Sequence, residues 1–213
     1  MSYSTTSRTL MLGLVAVLCA GVIGLLAGHY LTSEPDQTQA IREAGIIVLP
    51  QSLELPELHL ASTQGQQQAT HELTGRWSLV FFGYTFCPDI CPTTLAELRQ
   101  LKKLLPAATQ DKLQIIMVSV DPQRDTTEQL QLYLNYFDPE FIGLTGELTD
   151  IQTLSSALSI PFIPGDTSAP YYTVDHSGNL AIISPDGRQY GFIRAPLDVR
   201  KLAEQLPHIF NSF

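Results

Sequence analysis

Leu10 to Gly28, LMLGLVAVLCAGVIGLLAG, runs for nineteen residues without a charge. As a helix it spans about 28 Å, close to the roughly 30 Å hydrocarbon layer of a bilayer. Arg8 and the amino terminus precede the run, whereas Glu34 and Asp36 follow it. The positive-inside rule therefore leaves residues 1–9 in the cytoplasm and carries the remainder across the membrane. Signal-peptide cores are shorter, about 7–15 residues, and Ala27-Gly28-His29 is a poor cleavage site. Leu18 occupies the position where a lipoprotein signal needs a small residue, so Cys19 reads as a small apolar residue in a helix. These features predict a retained anchor over 10–31 in the cytoplasmic membrane and a polar linker over 32–44. A folded domain over 45–213 then faces the periplasm or an equivalent extracytoplasmic space.

The spacing of apolar residues sets the class of that domain. Ile46 to Leu49 is a short apolar run that Pro50 brings to an end, and Glu57 to Leu60 alternates polar and apolar residues as a half-buried strand does. Leu79 to Phe82 and Leu113 to Val120 are continuous apolar runs of the kind that fill buried strands. Between them Leu95, Leu98, Leu101 and Leu105 form one helical stripe, with Pro92 in its first turn. Thr127 to Phe137, Leu148 to Leu158 and Asp198 to Phe210 read as further helices, and Phe141 to Leu144 as a strand. Tyr171 to Val174 and Leu180 to Ile183 are β-rich and flank Asp175-His176-Ser177-Gly178-Asn179, which predicts a hairpin. Strands alternating with helices, then a hairpin, then a helix suit an α/β domain with a thioredoxin-like mixed sheet flanked by helices. The net charge of -9 excludes a nucleic-acid partner, which requires clustered Lys and Arg.

Chemistry concentrates in Phe86-Cys87-Pro88-Asp89-Ile90-Cys91-Pro92, where a buried strand gives way to a helix. Free N–H groups and the positive dipole end at a helix start favour thiolates there. Three readings compete for Cys87 and Cys91. A structural disulfide closing so short a loop constrains little of the unfolded chain. A redox-active dithiol normally has C-x-x-C spacing, one residue shorter than this pair. A thiolate metal site fits best, because soft sulfur selects Cu(I) and an added imidazole also suits copper. Structural zinc ordinarily takes four Cys or His ligands. His176 is the histidine best placed to join the sulfurs, although spacing alone more often marks a lone His as a surface residue. His59, His71 and His208 lack such a context, and Met117 reads as core. Asp175 and His176 would point to opposite faces of a strand, leaving Tyr172 and Val174 on the histidine's side. Asp89 reads as a solvated acid, and Asp121 with Arg124 as a turn-stabilising pair.

At these residues the chain resembles the Sco/SenC family of copper-binding assembly proteins. The matching segments are Phe82 to Leu95 (FGYTFCPDICPTTL), Val118 to Pro122 with Arg124-Asp125-Thr126, Phe141 to Gly146, Val174 to Ser177 and Ser184 to Gly187. The resemblance implies a thioredoxin fold whose metal ligands are Cys87, Cys91 and His176. It further implies binding of Cu(I) or Cu(II) and metallation of the binuclear copper centre of cytochrome c oxidase subunit II, with other copper chaperones or thiol reductants as further partners. Some members look more like thiol-disulfide oxidoreductases that prepare the target's cysteines, and a redox or copper sensor would use the same residues. A peroxidase is a poorer fit, since Thr85 stands two residues before Cys87 rather than three. The Pro-rich stretch Ile160 to Pro170 departs from the family's usual wording and adjoins the histidine.

Overall fold

The computed structural model describes residues 12–24, 37–169 and 171–212. Residues 12–24 are helical with exposed side chains and lie inside the uncharged run. The expected cytoplasmic segment 1–9, both ends of the expected anchor 10–31 and the first part of the linker fall outside the described residues. Among the described residues no helix is long and apolar enough to cross a membrane. The chain divides into two compact units, 1–39 and 40–213. Helix α1 (Gln37–Glu43) occupies the second half of the expected linker, and the core begins at buried Ala44, one residue ahead of the expected boundary at Gly45.

The second unit is built on one eight-stranded sheet. Its strands are β1 (Ile46–Glu54), β2 (His59–Ser62), β3 (Gln67–Ala69), β4 (Trp77–Gly83), β5 (Leu113–Ser119), β6 (Ile142–Thr145), β7 (Leu180–Ile183) and β8 (Arg188–Ile193). They lie in the order β1-β8-β7-β4-β5-β6-β2-β3. The helices are α2 (Ile90–Leu104), α3 (Ala107–Gln110), α4 (Thr127–Phe137), α5 (Leu148–Ala157) and α6 (Val199–Asn211). Strands β4, β5 and β6 are parallel, and β7 is antiparallel to both β4 and β8. Parallel neighbours need crossovers, here supplied by α2 and α4, and a strand at the sheet centre is covered on both faces. Every residue of β4 is accordingly buried, and Trp77 stacks on Phe210 of α6 with ring centroids 4.8 Å apart. The predicted leucine stripe of α2 is fully internal. This is a thioredoxin-like mixed α/β sheet flanked by helices.

Two local expectations are corrected. The hairpin is not formed around His176: Tyr171 to Val174 make no strand, and Asp175 meets Ile163 in an isolated bridge. The hairpin joins β7 to β8 through Ser184-Pro185-Asp186-Gly187, where Gly187 takes φ of +79°, a conformation that favours glycine. Pro50 does not end β1 either. That strand forms a sheet edge and changes register between Val48 and Leu53, and an edge tolerates proline's missing donor.

Candidate metal centre

The carboxyl ends of β4 and β5 carry the site. After Gly83, residues 84–89 form a loop that turns into α2, which places Cys87 in the loop and Cys91 in the first helical turn. Asp89, at the N-cap, makes no side-chain cap. A sulfur takes that role: the Cys91 N–H donates to Cys87 Sγ at 3.4 Å. Cys91 Sγ lies deeper and accepts the Tyr84 N–H at 3.4 Å. Gly83 makes this approach possible, because a Cβ there would stand 2.8 Å from Cys91 Sγ.

His176 reaches the same point from the loop before β7. Its Nε2 lies 3.1 Å from Cys91 Sγ and 3.8 Å from Cys87 Sγ. The three donor atoms lie within 4.8 Å of one another, and they are the only such His, Cys or carboxylate group among the described residues. His176 Nδ1 sits 2.8 Å from the carbonyl of Val174, which can only accept. Nδ1 therefore carries the hydrogen, and the bond leaves Nε2 as the nitrogen that faces the sulfurs. The Tyr84 ring meets the imidazole edge-on at 5.3 Å, and the Val174 N–H donates to Tyr84 Oη at 3.3 Å. The donors open into a shallow cleft of about 260 Å³ bordered by Pro88, Ile90, Thr173 and Asp175. A larger depression of about 550 Å³ lies at the opposite end of β5 and holds no comparable set; its Lys102 is paired with Asp138 and Glu140, and its Arg76 with Gln114.

The two thiols are chemically unlike. Cys87, 8% exposed, is pulled down to about 5, chiefly by the hydrogen bond from Cys91, with backbone N–H groups and His176 adding to it. Cys91, with no exposed surface, is pushed well above the ordinary thiol value by burial and by its neighbour's negative charge. Beneath them Asp125 is a buried carboxylate that accepts from the Thr85 N–H at 3.0 Å, Thr85 Oγ1 at 2.6 Å and Ser119 Oγ at 2.6 Å. Burial raises its pKa, and the hydroxyl and amide donors oppose that rise.

The structure thus brings together Cys87, Cys91 and His176. His59 and His71 lie 6.4 Å apart by ring centroid without a third donor, and Met117 is core. Tyr172 and Val174 both serve the histidine's segment, whereas Asp175 contributes its backbone to the bridge with Ile163. Gly83, Tyr84 and Asp125 were missed as supports of the site. No period or spacing marks them; their position in the family-like segments was the available signal.

A sheet-end dithiol with an imidazole on a thioredoxin-like frame defines a class of protein able to hold a soft metal or exchange a disulfide. The SCO1/SenC family model matches residues 50–211, and the chain belongs to that family. It is 45% identical over 177 residues to a Stutzerimonas stutzeri protein provisionally named for copper binding, covering 83% of this chain and 87% of that one. It is 30% identical over 184 residues to the human mitochondrial SCO2 homolog, covering 85% of this chain and 66% of the human protein. The copper-bound structure of Bradyrhizobium japonicum ScoI matches with a TM-score of 0.65 at 30% identity, covering 73% of this chain and 98% of that one.

Proposed function

We propose that this chain is a membrane-anchored copper chaperone of cytochrome c oxidase assembly. Cys87, Cys91 and His176 would hold one copper ion as cargo and pass it to the binuclear copper centre of subunit II. The observation that carries this reading is the convergence of two sulfurs and one imidazole nitrogen within 4.8 Å. Donors about 2.0–2.3 Å from a central ion and spread at 120° stand about 3.5–4 Å apart, so the separations of 3.1 and 3.8 Å suit one ion with little movement. The soft donor set favours Cu(I), and the imidazole also accommodates Cu(II). Relatives with copper in their names or structures support the same reading. The proposed anchor over residues 10–31, with the amino terminus cytoplasmic, would set the site in the compartment where that subunit's copper domain is assembled.

The full chain is expected to bind one copper through the site and to show a thiolate-to-Cu(II) absorption band. His176→Ala should remove the band, and replacing both cysteines with Ser should abolish binding. A band unchanged by His176→Ala would overturn the three-donor site. Capture of the copper-bearing oxidase subunit, lost with the same variants, tests delivery.

The unequal thiols favour a second reading, reduction of a disulfide in the target. The Cys87 thiolate would attack one target sulfur and release the other. The Cys91 sulfur would then displace the mixed disulfide, leaving a Cys87–Cys91 disulfide and a target dithiol. Reduction that survives His176→Ala without copper would select this reading.

A further inference from the structure

His176 sits on a segment with little sheet pairing to fix it: residues 171–174 belong to no strand, and among the described residues the ladder contact nearby is the isolated Ile163–Asp175 bridge. A donor set this compact nevertheless needs the imidazole held to within a fraction of an ångström. The turn after central strand β5 supplies a grip. Buried Asp121 is ion-paired with Arg124 and accepts the Tyr172 hydroxyl at 2.6 Å. Arg124 donates from Nη2 to the Tyr172 carbonyl at 3.2 Å, and its guanidinium lies 3.7 Å from the centroid of the Tyr172 ring. Tyr172 is thereby held by hydroxyl, ring and carbonyl, two residues before the carbonyl that orients His176. The same guanidinium lies 4.9 Å from the Phe86 ring, beside Cys87, so one cation spans the cysteine loop and the histidine loop. Gly165 also presses so closely that a Cβ would stand 2.5 Å from the Thr173 carbonyl oxygen. An Asp–Arg pair that only stabilised its own turn would need none of these contacts across 48 and 51 residues.

We propose that Asp121 and Arg124 are positioning residues that seat the imidazole over the two sulfurs by gripping Tyr172. For the metal, this rests on His176 being a ligand as proposed above; the grip itself does not. Arg124→Lys keeps the charge opposite Asp121 but loses the planar stack and the guanidinium fork. In the metal-free full chain, amide hydrogen exchange over residues 171–176 is expected to accelerate about tenfold in Arg124→Lys, the size of a lost desolvated cation–π contact, while β4 and β5 exchange as before. With one equivalent of Cu(II), the thiolate band and the nitrogen hyperfine signal should both weaken. If Lys restores wild-type exchange over 171–176, the pair serves only its own turn and the proposal is overturned. Tyr172→Leu removes the grip from the opposite end and leaves the Asp121–Arg124 pair intact. It should produce the same acceleration, and an unchanged rate would also overturn the proposal, including where Arg124→Lys fails to fold. A wild-type chain that bound no copper would defeat the chaperone reading, while exchange in the metal-free protein would still decide the grip.

Discussion

Cys87 and Cys91 carry the same thiol four residues apart, and their surroundings make them different reagents. The Cys87 sulfur receives the helix-start N–H and the neighbouring S–H, which holds its pKa near 5, whereas burial pushes Cys91 up. Alkylation of the metal-free chain at pH 7 should therefore modify Cys87 first, with a rate that titrates near pH 5; mass spectrometry of the modified peptide checks the order. The sign of the pH effect on stability follows from the same shifts. A thiol depressed from 9 to about 5 on folding adds stability that is full above pH 9 and fades as pH falls through 5. Cys91, raised on folding, works the other way, and its contribution fades as pH rises above 9. The pair's share of stability should thus grow between pH 5 and 9 and shrink beyond, and Cys87→Ser should flatten the lower limb in denaturant titrations. Gly83 sets the depth of Cys91. Gly83→Ala would bring a methyl 2.8 Å from Cys91 Sγ and 2.5 Å from the Phe81 ring, costing about 1–3 kcal/mol of overpacking and weakening copper binding. Of these residues, spacing and a helix-start argument made the cysteines legible. His176 needed the family resemblance, and Gly83 acquires meaning only when a sulfur from the next element lies against it.

At the scale of elements, the site depends on how loops leave the sheet. The turn from β5 into α4 contributes Asp121 and Arg124 to the histidine segment and Asp125 to the cysteine loop. Asp125→Ala would strand the Thr85 N–H and the Ser119 hydroxyl in a buried place, at a cost of about 3 kcal/mol, and a lowered denaturant midpoint with faster exchange over residues 84–89 should report it. The long apolar strands and the leucine stripe of α2 were readable because burial on both faces or one face writes a period into the sequence. The hairpin was misread because Tyr171 to Val174 have strand-like composition but no neighbour to pair with. Strand β8 was overlooked although its burial alternates along Arg188 to Ile193, and its turn glycine is Gly187. Composition favours a pleated backbone; a partner strand decides whether one forms.

For the whole molecule, residues 40–213 form a compact unit with its own core. A chain beginning at Gln37 is expected to unfold with the same denaturant midpoint as the full chain and to bind copper with the same stoichiometry. If residues 10–31 anchor the protein as proposed, the full chain should sediment with membranes until detergent is added, whereas the shortened chain stays in the supernatant. The sequence by itself determined the sheet-and-helix class, the dithiol at a strand-to-helix junction and the family, because hydrophobic periods and short motifs are local properties of the chain. Tertiary structure alone decided that an imidazole eighty-five residues from Cys91 stands 3.1 Å from its sulfur, that Cys91 is sealed off while Cys87 keeps 8% of its surface exposed, and that a turn after β5 holds the histidine's segment. Those distances depend on how the elements pack in three dimensions, and no one-dimensional pattern encodes where distant loops meet.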